Sequence, residues 1–121
     1  MNNQTTKALW QYQCKATPKT ASRLAADEIK SLLLQLSDWH IVDCETGQQL
    51  KKSFSFSNFV EAIRFADTLS EVAEANDHHP ALLVEYGKVT VSWWSHSIGG
   101  LHHNDFVLAA KTDRAYLIDD R

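Results

Sequence analysis

Apolar residues recur along this chain at two different intervals, and the switches between them mark its elements. From Leu24 onward, Ile29, Leu32, Leu33 and Leu36 fall at i, i+3, i+4 and i+7, while Asp27 and Glu28 occupy a first turn where the helix dipole favours carboxylates. At Trp39 the interval drops to two. Trp39 and Ile41 flank polar His40, Gly47 marks a turn, and Leu50, Phe54 and Phe56 alternate with Lys51, Ser53 and Ser55, which predicts a β-hairpin with one apolar face. Asn58 with Glu61 three residues later resembles a capping box and opens a helix to about Asn76, with Phe59, Ile63, Ala66, Leu69 or Ser70, and Ala73 expected along one face. Pro80 disfavours helical geometry at His79, and Leu82, Val84, Tyr86 and then Val89, Val91, Trp93 form a second hairpin around Gly87-Lys88. Gly99-Gly100 breaks the chain again before a third helix beginning near His103.

The order is αββαββα, with no crossover pattern between strands. It predicts an α+β fold in which a four-stranded antiparallel sheet is covered by helices on one face. Residues 1–23 show neither period and are expected to form an arm, flexible or ordered only by contact, ahead of a single domain at 24–121.

Composition narrows the function classes. A net charge of −3 and no basic cluster beyond Lys51-Lys52 argue against a nucleic-acid surface. No stretch approaches the roughly 20 apolar residues of a membrane span, so no membrane role and a cytoplasmic location are expected. Four tryptophans in a chain of 121 residues leave apolar surface for self-association. Cys14 and Cys44 have neither CxxC spacing nor disulfide-scaffold density, and both are read as reduced and incidental.

The chemistry concentrates in Glu74-Ala-Asn-Asp77-His78-His79-Pro80 and in Trp93-Trp94-Ser95-His96. If Gly87-Lys88 is a two-residue turn, Val84 faces Val91, Leu82 faces Trp93, and the extended ladder sets His79 opposite His96, with α-carbons about 4.5 to 5.5 Å apart. Alternation then places both imidazoles on the face of Thr90, Ser92 and Trp94, away from the core. Trp94 becomes a platform for a flat ligand, or else an interface residue. His78 lies at the helix-to-strand junction, where a cluster of three histidines can form. Adjacent histidines at a helix C-terminus also favour the dipole without further purpose. Three histidines can hold zinc, but the spacing matches no helical metal-ligand pattern.

The run Glu74-x3-His78-His79-Pro80-x5-Tyr86-x9-His96-x8-Asp105, with Gly99-Gly100-Leu101 inside it, resembles the signature of the pterin-4a-carbinolamine dehydratases. Trp93-Trp94-Ser95-His96-Ser97 is most similar to the free-standing bacterial members. The resemblance implies a saddle-like subunit, assembly into homodimers or homotetramers, and a pterin that is substrate rather than cofactor, with no metal. It carries the active-site roles to His78, His79 and His96, and substrate contacts to Pro80, Ser95, Ser97 and Ile98, with Glu74 and Asp77 at the acidic positions upstream. Asp105 falls in the first turn of the last helix, as a dipole partner or as a participant in the site. At His102 the family often has a capping Thr or Ser, so a lost cap is expected there, and His102 and His103 are read as surface residues.

The implied reaction dehydrates the 4a-carbinolamine left on tetrahydropterin by an aromatic amino acid hydroxylase. Imidazole, with an ordinary pKa of about 6.5, supplies both acid and base near neutrality. The alternative reading is a protein-binding or dimerisation role, as a transcriptional co-regulator or hydroxylase partner, for which three intact histidines would have no physical need.

Overall fold

Turn residues decide where this chain doubles back, and the reversals set its topology. The computed structural model describes residues 7–118. A 3-10 turn at Leu9–Gln11 is followed by α1 (Ala26–Leu33), β1 (His40–Cys44), β2 (Gly47–Ser55), α2 (Phe59–Asn76), β3 (Ala81–Glu85), β4 (Lys88–Trp93), a second 3-10 turn at His96–Ile98 and α3 (His103–Ile118). This is the expected αββαββα order. Residues 1–6 of the expected arm, and 119–121, lie outside the described residues.

The strands form one antiparallel sheet in the order β1-β2-β4-β3. Helices α2 and α3 cover one face and pack on each other. Leu50 and Phe54 of β2, Val89, Val91 and Trp93 of β4, Phe65 and Leu69 of α2, and Phe106 to Leu108 of α3 share the core between the layers. Burial of each such side chain contributes roughly 1.5–3 kcal/mol relative to exposure. Polar groups lock the layers together: Asp113 of α3 accepts from Trp39 Nε1 at 3.0 Å and pairs with Lys52 Nζ of β2 at 2.7 Å. Among the described residues no helix is long and apolar enough to cross a membrane.

Three local expectations are corrected. Helix α1 stops at Leu33, and Leu34 to Leu36 continue only as a tightened turn through Gln35 N–H to Leu32 C=O and Leu36 N–H to Leu33 C=O. In α2 the buried face is Ala62, Phe65, Leu69, Ala73 and Asn76, whereas Phe59 and Ile63 are 47% and 46% exposed. The helix carries two apolar stripes, each with helical period, and only one can meet the sheet. The second hairpin turns at Tyr86-Gly87, with Gly87 at φ +72°, so Val84 faces Val89 and Leu82 faces Val91. The pairing is displaced by two residues, an even number, so every side chain keeps its expected face while its partner changes.

The first hairpin turn is packed against the loop before α3. Gly47 sits at φ +115°, and a Cβ there would penetrate the Gly99 carbonyl oxygen. Gly47→Ala therefore meets both backbone strain and a clash with main chain. It is expected to destabilise the protein by roughly 2–4 kcal/mol, read as a lowered urea midpoint at unchanged slope.

Candidate functional site

The site begins where α2 ends. Asp77 adopts the left-handed conformation (φ 48°, ψ 45°), its N–H bonding back to the Ala73 and Glu74 carbonyls, and His78 N–H also returns to Ala73 C=O. This C-terminal closure reverses the chain within one residue and sends His78 inward. Asp tolerates that conformation better than most residues.

His78 is 5% exposed. Its ring stacks on Trp93 at 5.8 Å between centroids, and its Nε2 lies 2.7 Å from Asp105 Oδ1. With Nε2–H directed at the carboxylate, Nδ1 is the ring nitrogen that Asp105 does not engage, and the residue lines a cleft. Asp105 is fully buried, and its Oδ2 accepts from Ser95 Oγ at 2.8 Å and from His102 N–H at 2.9 Å. It holds three chain segments at once. His79, by contrast, is half exposed and bonds Glu74 through Nε2 at 2.6 Å. His96 is exposed on the second 3-10 turn, its ring 4.3 Å from that of half-buried Trp94.

Asp77, His78, His79, His96 and Ser97 line one cleft of about 160 Å3, together with Ala16 and Thr17 from the N-terminal segment. Glu74, Trp94 and Asp105 stand one contact behind it, against His79, His96 and His78 in turn, and Ser95 stands behind Thr17. Pro80 and Ile98 are half-buried and do not line it. The ladder used to bring His79 to His96 ends at Ala81 opposite Ser92, so neither histidine is on a paired strand. They line the same cleft because the αL reversal and the 3-10 turn stand at the same end of the sheet.

Larger hollows exist, one of about 550 Å3 lying between the Trp10 segment, α2 and α3. Its cations are already engaged: Lys111 Nζ bonds the Trp10 carbonyl and Arg114 lies over the Trp10 ring at 3.8 Å. Convergent titratable groups, rather than volume, mark the smaller cleft as the candidate site. No group of three His, Cys, Asp or Glu among the described residues is placed to hold a metal. Cys14 is buried, with its thiol pushed up to about 11 chiefly by that burial, and is chemically quiet at neutral pH.

A family model, pterin 4 alpha carbinolamine dehydratase, matches residues 22–115. The chain belongs to the pterin-4a-carbinolamine dehydratase family. A relative from Microcystis aeruginosa bearing that family's name is 46% identical over 108 residues, spanning 89% of this chain and 93% of its own. One from Nitrosococcus oceani is 49% identical over 102 residues, 84% and 90% of the two chains. Among solved structures, the transcriptional coactivator/pterin dehydratase of Brucella melitensis superposes with a TM-score of 0.71 at 30% identity, covering 78% of this chain and 99% of that one. A pterin dehydratase-like RuBisCO assembly factor of the alpha-carboxysome, 20% identical over 66% of this chain and 90% of its own, shares the fold with a TM-score of 0.56.

The α3 cap departs from the sequence reading. His102 Nδ1 accepts from Asn104 N–H at 3.1 Å while Asp105 accepts from His102 N–H, a reciprocal box in which imidazole stands for the hydroxyl. The cap is kept. His102 and His103 are half-buried rather than surface residues, and the His103 ring meets Tyr12 edge-on at 5.3 Å.

Burial holds the His102 pKa below its ordinary 6.5 against the upward pull of Asp105, with His103 and His78 adding to the downward side. A lowered folded pKa means that the unfolded chain binds the proton more readily. The stabilisation is therefore present above about pH 6.5 and is lost as pH falls through the folded value. His102→Ser caps without titrating and is expected to remove this part of the acid-side decline. Urea unfolding of both proteins from about pH 8 to about pH 5 checks it, parallel curves being the contrary result.

Proposed function

We propose that the protein catalyses loss of water from a 4a-hydroxytetrahydropterin, giving the quinonoid dihydropterin. The single observation that carries this reading is the convergence of three imidazoles on one small cleft, two of them oriented by carboxylates at 2.6–2.7 Å. In the reaction the C4a–O bond breaks as the hydroxyl takes a proton and leaves as water. N5 gives up its proton, and its electron pair forms the C4a=N5 double bond. One acid and one base are needed, on different atoms of the same ring system.

His78 and His96 perform these two transfers. His78 does so with the ring that Asp105 holds in place, and His96 from the 3-10 turn that lines the same cleft. His79, steadied by Glu74, holds the substrate by a hydrogen bond. Trp94, one contact behind the cleft, backs His96 with its ring. In this reading the imidazoles transfer the protons directly, and the pterin enters as substrate without a further cofactor. The carbinolamine is the product of an aromatic amino acid hydroxylase, so the reaction serves pterin recycling for that enzyme.

The test follows dehydration of freshly generated 4a-hydroxytetrahydropterin by ultraviolet absorbance, with chelator present. Wild type is expected to accelerate it, and the double variant His78→Ala/His96→Ala to lose about 10²- to 10⁴-fold in kcat/KM. A wild type no faster than buffer would refute the assignment.

We also propose a homodimer or homotetramer built on the outer stripe of α2. Phe59, Val60 and Ile63 are all about half exposed there, more apolar surface than a lone helix face ordinarily presents to water. Ile63→Glu is expected to shift sedimentation toward monomer while leaving the circular dichroism spectrum intact. An unchanged sedimentation profile would move the interface elsewhere.

A further inference from the structure

The two segments on either side of His96 are both held by one residue that lies outside the matched family region. Thr17 O–H meets Ser95 Oγ at 3.1 Å, and Thr17 C=O accepts from Ser97 Oγ at 2.8 Å. Ser95 has a single proton, which it donates to Asp105 at 2.8 Å. The hydroxyl of Thr17 must therefore donate to Ser95. Thr17 Oγ1 in turn accepts from Asn104 Nδ2 at 3.2 Å. A directed chain results, from Asn104 through Thr17 and Ser95 to the carboxylate that orients His78. The bonds of Thr17 join residues 78 to 87 positions apart in sequence, and Thr17 itself is 7% exposed.

The segment that carries Thr17 is itself anchored. Leu9 and Cys14 are buried, Cys14 N–H bonds Asn76 Oδ1 at 3.2 Å, and Asn104 Nδ2 also bonds Lys15 C=O at 3.1 Å. Ala16 and Thr17 thereby become one wall of the histidine cleft.

We propose that the N-terminal segment completes the site and that Thr17 is a positioning residue. It sets the His96 turn from both sides and, through Ser95, the carboxylate behind His78. The inference rests on the dehydratase reading for its kinetic consequence, but its geometric content does not.

Thr17→Val keeps the shape and removes the hydroxyl; Thr17→Ser restores it. In the full-length protein, Thr17→Val is expected to lower kcat about tenfold, with Thr17→Ser within about twofold of wild type. The ring resonances of His78 and His96 are recorded by NMR without substrate, and those of Thr17→Val should shift while those of Thr17→Ser remain near wild type. If wild type fails to dehydrate the pterin yet the resonances shift in this pattern, the reaction assignment falls and the positioning role stands. An active Thr17→Val with unmoved rings overturns the proposal. So does equal loss in both variants in step with lost thermal stability. Should Thr17→Val not fold, Ser97→Ala cuts the other tie, and unmoved His96 resonances in that variant would overturn the proposal equally.

Discussion

One buried carboxylate holds this site together. Asp105 is wholly removed from solvent, and an ion in that position costs several kcal/mol unless its lone pairs are met. They are met by an imidazole from the α2–β3 junction, a hydroxyl from the end of β4 and the backbone N–H that opens α3. Three segments that are separate in sequence are thus obliged to meet at one point. Displacing His78 leaves Oδ1 unpaired in a low-dielectric interior, and displacing either of the others strips Oδ2 of one of its two donors, so the penalty for misassembly is larger than the net worth of the bonds.

The local backbone serves that meeting. Asp77 takes an unfavourable conformation to finish α2 in one residue, which delivers His78 inward while leaving His79 outside on Glu74. The 3-10 turn after β4 brings the exposed His96 to the same cleft, and the bridge between Ser95 and Gly100 closes that turn on itself. The result pairs one buried, firmly oriented imidazole with two exposed ones. The proposed acid and base catalysis uses that asymmetry, one group fixed and another open to water.

Element type was legible because burial of one face imposes a period. Helix α2 and the two hairpins announce themselves by spacing of 3.6 and 2, and Asn58, Gly47 and Pro80 punctuate them by backbone chemistry that acts locally. The same locality explains the errors. Two apolar stripes on α2 are equivalent until a sheet chooses between them, and Tyr86-Gly87 and Gly87-Lys88 are both admissible two-residue turns until cross-strand packing selects one. His102 is legible as an absent hydroxyl, yet only its position next to Asn104 N–H shows that its ring does the same work.

The sequence by itself determined the order of elements, the α+β class, the cluster His78-His79 with His96, and through their spacing the family. These are properties of neighbours along the chain, or of a motif whose spacing is intact. Tertiary structure alone decided which stripe of α2 is buried, that Asp105 lies beneath the cleft rather than in it, and that Thr17, with no periodic signal around it, stands beside histidines some sixty to eighty residues away. Those outcomes depend on hydrogen bonds between distant segments. Such bonds have no signature in local hydrophobicity, because a polar residue that will be buried and satisfied reads the same, letter by letter, as one that will face water.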